Sequence, residues 1–230
     1  MRRAAVPLLL LLPLAAILTA AAGAAESIRV EQLTERRLRL TLPAELGDSW
    51  REVNVGRLRM RTTARQSSLD RRRLPSSAAL DVSVGTPGCS LLQVDLGPPS
   101  SRGYSDSWQR VTRCSKIATC RSNASRADRH RAGALLTAKT GSRIEIRPLF
   151  NPLELVPGSD LPVRLYFGGE SVQAVVSGQG PDGEQVQAAS DRVGIAFLRI
   201  PRPGRWTVRF AHQGAVAELI FTVQGDVPES

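Results

Sequence analysis

Residues 144–210 have the sequence IEIRPLFNPLELVPGSDLPVRLYFGGESVQAVVSGQGPDGEQVQAASDRVGIAFLRIPRPGRWTVRF. Short runs rich in Val, Ile, Leu and Phe alternate here with turn residues at nearly even intervals. The strongest turn signals are Pro157-Gly158, Gly168-Gly169 and the GPDG sequence at 180–183. Together with 215–223, the stretch predicts about seven short strands, which is typical of an immunoglobulin-like β-sandwich.

The residues that precede this stretch predict a separate β-rich domain. Apolar and polar residues alternate at 27–30, 38–42 and 53–61, as they do in half-buried strands. In the third run the apolar phase shifts across Gly56-Arg57, which predicts a β-bulge at the glycine. We therefore expect an all-β chain with two sandwich-like domains.

Two segments between these domains are less regular. Residues 104–122 fit either one short amphipathic helix or an irregular strand with a turn, because apolar residues fall three or four apart. Residues 123–142 are rich in Arg and poor in apolar side chains, which predicts a mobile linker. The expected division is a signal peptide at 1–24, an N-terminal β-rich domain at 25–122, the linker at 123–142, a C-terminal sandwich at 143–224 and a tail at 225–230.

The first 24 residues predict export. Arg2 and Arg3 precede an apolar run at 4–18, and Ala22-Gly23-Ala24 fits the A-x-A cleavage rule. The apolar run is short for a membrane span, which needs about 20 residues. We expect a cleaved secretory signal and a periplasmic or secreted protein, with an uncleaved membrane anchor as the alternative.

The composition is basic, and the charge is nearly all arginine. The formal net charge is +10, or +8 without Arg2 and Arg3, and the chain has only two lysines, Lys116 and Lys139. A basic exported protein is expected to meet an anionic envelope surface, and not nucleic acid.

The chain has three cysteines, and an exported protein is able to form disulfides. Cys114 and Cys120 are close in sequence and are the candidates for a bond that closes a small loop. Cys89 would then be a free buried thiol, or it would pair with one of the other two. Sequence alone does not choose between one bridge of these kinds and three unpaired cysteines.

Few residues of the sequence are suited to catalysis or metal binding. His130 and His212 are the only histidines and so the only candidate imidazole ligands for a metal ion. No G-x-S-x-G sequence is present, and no nucleophile has an evident base beside it. We expect no enzyme activity, no catalytic residue and no bound cofactor.

Several motifs resemble those of a bacterial family of exported proteins that is labelled a domain of unknown function and described as a periplasmic component of cobalt or nickel transport. Lys116 is similar to a lysine that precedes the linker in that family. The other motifs are IEIRPL at 144–149 with Asn151-Pro152, LVPGSDL at 155–161, the strand that ends at Gly169, SDRVG at 190–194 and PGRW at 203–206.

The resemblance implies a C-terminal domain similar to transthyretin or to carboxypeptidase regulatory domains, with a β-rich domain packed on it. It also implies a binding or accessory role in nickel or cobalt uptake, with His130 and His212 as the candidate ligands of the metal and an envelope protein or transport component as the partner. Family members often begin the mature chain with a His-rich sequence, whereas the start expected here, Ala25-Glu26-Ser27-Ile28, has no histidine. A structural or protein-interaction module of the envelope is therefore the alternative function.

Overall fold

The computed structural model describes residues 29–34, 37–41, 54–62, 66–68, 79–83, 88–97, 112–121 and 123–225. These residues form one α-helix, α1 (Arg126–Thr137), and fifteen strands. The strands are β1 (Arg29–Thr34), β2 (Arg37–Thr41), β3 (Asn54–Thr62), β4 (Gln66–Ser68), β5 (Ala79–Ser83), β6 (Cys89–Gly97), β7 (Arg113–Cys120), β8 (Ile144–Pro148), β9 (Ser159–Phe167), β10 (Glu170–Ser171), β11 (Val175–Gln179), β12 (Gln185–Ala189), β13 (Ile195–Ile200), β14 (Gly204–His212) and β15 (Ala215–Val223).

The largest sheet has eight strands in the order β12-β11-β14-β15-β7-β6-β3-β4. Its central pair is parallel, with Val216 opposite Arg113 and Ile220 opposite Ile117, whereas the other pairs are antiparallel. β15 is buried along most of its length, which explains its nearly continuous apolar sequence AVAELIFTV. The sheet therefore runs without a break from the predicted N-terminal domain into the predicted C-terminal domain.

The second layer is a small antiparallel sheet in which β9 pairs with β8 on one side and with β13 and β10 on the other. The inward side chains of β9, Leu161, Val163 and Leu165, are fully buried. They join Trp206, Phe221 and other buried residues of the large sheet in one core. The prediction of an all-β sandwich is confirmed. A third sheet, β1-β2-β5, lies in the N-terminal part.

Other local predictions have mixed outcomes. The register of β3 against β6 shifts between Val55 and Arg57, so the bulge at Gly56 is confirmed. Within 104–122, the structure describes strand β7, so for Arg113–Cys120 the strand alternative is confirmed and the short helix is wrong. Residues 113–118 are buried on both faces of this central strand, which removes the alternation typical of a half-buried strand. Residues 101–111 lie outside the described ranges, as do the predicted signal peptide and residues 226–230 of the predicted tail.

The α-helix lies inside the segment predicted to be a mobile linker, so that prediction is wrong. Ser125 is the N-cap, and it exchanges hydrogen bonds with Asp128 in a capping box. Ala132 and Leu136 are buried against the sandwich. The buried face is narrow and contains only one large apolar residue, Leu136, so the segment carries little apolar periodicity. No helix of the described residues is long and apolar enough to cross a membrane.

Trp206 is a core residue. It is fully buried, and its indole Nε1 donates a hydrogen bond to the Arg202 carbonyl at 3.0 Å. Gly180 lies against the ring, and a Cβ atom added there would be 2.6 Å from two ring carbons. The glycine of the predicted GPDG turn therefore also makes room for the tryptophan.

We predict that Gly180→Ala lowers the free energy of unfolding by about 1–3 kcal/mol, because the added methyl group overpacks the Trp206 site. Gly225→Ala is the matched control, since its Cβ would meet Pro203 at an ordinary 3.6 Å. Urea unfolding followed by tryptophan fluorescence measures both. Equal stability of the two variants would contradict the tight contact.

Candidate functional site

A buried ion pair joins the two layers of the sandwich. Lys116 on β7 donates to the Glu145 carboxylate on β8 with Nζ and Oε1 2.5 Å apart, and both side chains are almost completely buried. Glu145 also accepts hydrogen bonds from the backbone N–H groups of Thr140 and Gly141, at 2.9–3.2 Å. Lys116 donates in addition to the Ala138 carbonyl. The pair therefore fixes the loop between α1 and β8 to the large sheet.

A second polar group lies next to this pair. The Ser142 hydroxyl accepts from the Gln93 amide at 2.8 Å and donates to the Asp95 carboxylate at about 3.0 Å. Cys114 faces the same group, because it is opposite Asp95 in the β6–β7 pairing. Burial and then the charge of Asp95 raise the pKa of the Cys114 thiol well above its ordinary value. Cys114 is therefore a protonated core thiol and not an activated nucleophile.

A third group lies on the other face of the large sheet. The Glu218 carboxylate accepts from the Arg113 guanidinium at 3.0 Å and from the Ser115 hydroxyl at 2.7 Å, and all three residues are buried. Residue 218 is opposite residue 115 in the parallel β7–β15 pair, so the three side chains share one face. Each charge in this group has a partner within the group, and the contacts link the two central strands, β7 and β15.

The disulfide joins Cys89 to Cys120, so the candidate bond between Cys114 and Cys120 is wrong. Cys89 is directly opposite Cys120 in the β6–β7 pair, with the Cα atoms 4.1 Å apart. Cys114 and Cys120 lie on the same strand, six residues apart, so roughly 20 Å separates them at the rise of a strand. That distance excludes a disulfide, and Cys114 is free.

The outward side of the small sheet carries a cluster of positive charge. Arg147 on β8 is directly opposite Arg164 on β9, and Tyr166 is two residues further along β9 on the same side. Like charges directly opposite in a sheet cost up to about 1 kcal/mol. The Arg147 Nε atom donates to the Thr137 carbonyl at 2.7 Å. The Arg164 Nε atom is buried and, within the described part of the chain, has no hydrogen-bond partner.

Lys139 completes this group, which we call the cationic cluster (Lys139, Arg147, Arg164 and Tyr166). Its Nζ lies 4.3 Å from the centre of the Tyr166 ring and donates to the Gly169 carbonyl at 2.8 Å. None of the three cations forms an ion pair with a carboxylate of the described residues. Within the described residues, three positive charges thus surround one phenol without an ion-pair partner of their own, because Glu145, which is opposite Tyr166 on β8, is paired with Lys116.

The charges of the cluster act on Tyr166 itself. Burial raises the pKa of its phenol, but hydrogen bonds with Arg164 and Arg147 and their positive charge outweigh burial. The net effect lowers the pKa of Tyr166 from its ordinary value of 10. The cluster therefore favours negative charge beside the Tyr166 oxygen.

The structure gives the two candidate metal ligands different surroundings. His130 lies on α1 with its side chain 75% exposed, and its Nδ1 is 3.3 Å from Oε1 of Glu154. His212 ends β14, where its ring makes an edge contact with Phe167 at 4.9 Å. No group of three or more His, Cys, Asp or Glu residues suited to a metal is present among the described residues.

Lys139, Arg147 and Arg164 are not among the candidate site residues predicted from the sequence. The polar phase of β9 contains Pro162, Arg164 and Tyr166, and this alternation was visible in the sequence. The position of Arg147 opposite Arg164 depends on the strand register, and that of Lys139 on the end of an unexpected helix. These two features could not be read from the sequence.

Part of the chain is similar to a known protein family. Residues 107–214 match the family model described as "Domain of unknown function (DUF4198)". The matched segment includes β7, α1 and the small sheet, and therefore Lys116, Glu145 and the cationic cluster. No curated protein matches the chain significantly.

We predict that Lys116→Met lowers the free energy of unfolding by about 3–5 kcal/mol, because Glu145 would remain buried without its counter-ion. Lys139→Met removes the only other lysine, which is exposed, and should cost less than about 1 kcal/mol. Urea unfolding of both variants provides the comparison. Similar losses would show that the buried pair is not a main tie between the layers.

Proposed function

We propose that this chain is an exported, non-enzymatic binding or accessory protein of the cell envelope, which holds its ligand at the cationic cluster. The observation that carries the proposal is the set of three cations around Tyr166 without carboxylate partners among the described residues. Such uncompensated charge at a partly exposed surface favours binding of an anionic group.

The core chemistry supports binding over catalysis. Lys116 and Arg113 are each held in a buried ion pair, with Glu145 and Glu218 respectively, so these groups serve the fold. The Cys114 thiol has a raised pKa and carries its proton at neutral pH. Each of these groups is thus engaged in holding the fold or unsuited to nucleophilic attack.

A link with nickel or cobalt uptake is the finer part of this proposal, and it rests on the family resemblance. The His130 imidazole and the Glu154 carboxylate are adjacent donors of the kinds that suit these ions. His212 is packed against Phe167 instead. His130 is therefore the residue at which metal binding would begin.

A protein-interaction module is the second candidate, and exposed apolar side chains favour it. Phe197 on β13 is 61% exposed, and Val193 in the turn before it is 52% exposed. Large exposed apolar residues near a sheet edge are a feature of protein contacts. In this case the partner would dock on β13, further along the same small sheet.

We predict that a small-molecule extract of the cell envelope shifts the backbone amide signals of β8 and β9 in the NMR spectrum of the isotope-labelled mature protein, because its ligand binds at the cationic cluster. Mass spectrometry of the extract before and after incubation should show no product formation. An Arg147→Gln/Arg164→Gln double variant should lose the shifts, and Arg199→Gln, on the same side of the sheet, should keep them.

The same spectra separate the candidates. Signal broadening centred on β13 after addition of an envelope-protein fraction, without small-molecule shifts at β8 and β9, would favour the interaction module. A new product in the extract would contradict a non-enzymatic role. Spectra that no fraction changes would contradict binding at this surface.

For the metal link, calorimetry with nickel and cobalt chloride should detect binding that His130→Ala abolishes, because this change removes the nitrogen donor next to Glu154. His212→Ala is the control and should leave the binding unchanged. Absence of heat at micromolar metal, or equal loss in both variants, would count against a site at His130.

A further inference from the structure

We propose that the cationic cluster is a binding site for a small soluble oxyanion, a phosphate or carboxylate group, held between the Arg147 and Arg164 guanidinium groups. This inference rests on the proposed binding function and names the chemical class of the ligand at that site.

The opposed arginines provide the first argument. Arg147 and Arg164 are cross-strand partners, and both guanidinium groups hydrogen-bond to the Tyr166 oxygen, so they meet at one place. Pairs of planar N–H donors in this arrangement match the oxygen spacing of carboxylate and phosphate groups. An oxyanion between them would replace like-charge repulsion by two charge-assisted contacts.

Unused donors provide the second argument. The buried Arg164 Nε–H has no acceptor within the described ranges, and a buried donor without a partner is costly. The Arg147 Nε–H is already used by the Thr137 carbonyl, which holds this side chain in place. Both arginines are thus held at Tyr166, and Arg164 has in addition an Nε–H without an acceptor within the described ranges, as expected of a preformed site.

The third argument concerns the size of the ligand. Tyr166 is only 7% exposed and forms the floor of the cluster, while Lys139 lies over its ring and is tied to the Gly169 carbonyl. The only acidic side chain of the neighbouring β9–β10 turn, Glu170, makes no ion pair with Lys139. A cluster with a buried floor suits a single small anionic group, whereas a membrane surface would need cations spread over a flat face.

Tyr166 makes binding measurable. The chain has two tyrosines, so Tyr104→Phe leaves Tyr166 as the only phenol that titrates. Arg164 and Arg147 lower the pKa of Tyr166, and a bound dianion would offset their charge. Anion binding should therefore raise the midpoint of the Tyr166 absorbance titration, and deprotonation of Tyr166 should weaken binding.

The experiment uses the mature Tyr104→Phe protein with inorganic phosphate and with succinate, in sodium chloride at constant ionic strength. We expect saturable binding of at least one probe by calorimetry near neutral pH, together with a saturable rise of the Tyr166 midpoint. Arg164→Gln should weaken binding roughly tenfold or more, since it removes a charged two-point contact. Lys139→Met should weaken binding of the anion severalfold. Because this change affects an exposed side chain, it tests the site even if the Arg164→Gln variant does not fold.

Arg199→Gln is the matched control. Arg199 lies on the same side of the small sheet but already pairs with Asp160 at 3.6 Å, so its loss should leave affinity within about twofold. Equal weakening by Arg199→Gln would overturn the site in favour of diffuse attraction to a basic surface. Absence of saturable binding of both probes, or binding only to phosphatidylglycerol vesicles, would also overturn it.

Different results would contradict the binding function and the assignment of the ligand as an oxyanion. If the envelope extract shifts β8 and β9 signals but neither phosphate nor succinate binds, the oxyanion assignment fails and the binding function stands. If no fraction of the extract affects these strands and the anion probes also fail, both are overturned.

Discussion

The parallel pairing of β7 with β15 is the constraint on which the rest of the structure depends. Parallel neighbours require a crossover connection, and here the crossover is the whole segment 121–214, which contains α1 and the small sheet. The C-terminal strand therefore lies in the centre of the large sheet, between β14 and β7, and the second layer lies within the connection that leads to it. Glu218 secures this closure by binding Arg113 and Ser115 across the pair.

This pairing also decides which charges meet in the core. With Arg113 and Ser115 on one face of β7, Lys116 must point to the other, where the small sheet packs. There it meets Glu145, which in turn binds the backbone of the loop after α1. That loop carries Lys139 to the Tyr166 ring. A contact between central strands is thus connected, step by step, to the geometry of the cationic cluster.

The sequence predicted those features that local chemistry determines. The strands and turns of the C-terminal part and the bulge at Gly56 follow from alternation and glycine, and the structure confirms them. The Cys89–Cys120 bond depends on the register of two strands, and α1 on a capping box and a few small buried residues. Arg147 meets Arg164 for the same reason of register. Pairings between distant residues leave little trace in a single sequence. The helix and the opposed arginines were therefore not predicted, and the predicted disulfide was wrong.

The contrast between two kinds of charged residue supports a binding role for the outward side of the small sheet. Where charge is buried in the core, this fold supplies a partner, as Glu145 does for Lys116 and Glu218 for Arg113. At the cationic cluster no carboxylate partner is supplied among the described residues, although two arginines are directly opposed. Such an arrangement reduces stability when no ligand is bound. Sites that bind or react commonly depart from local rules of stability in this way.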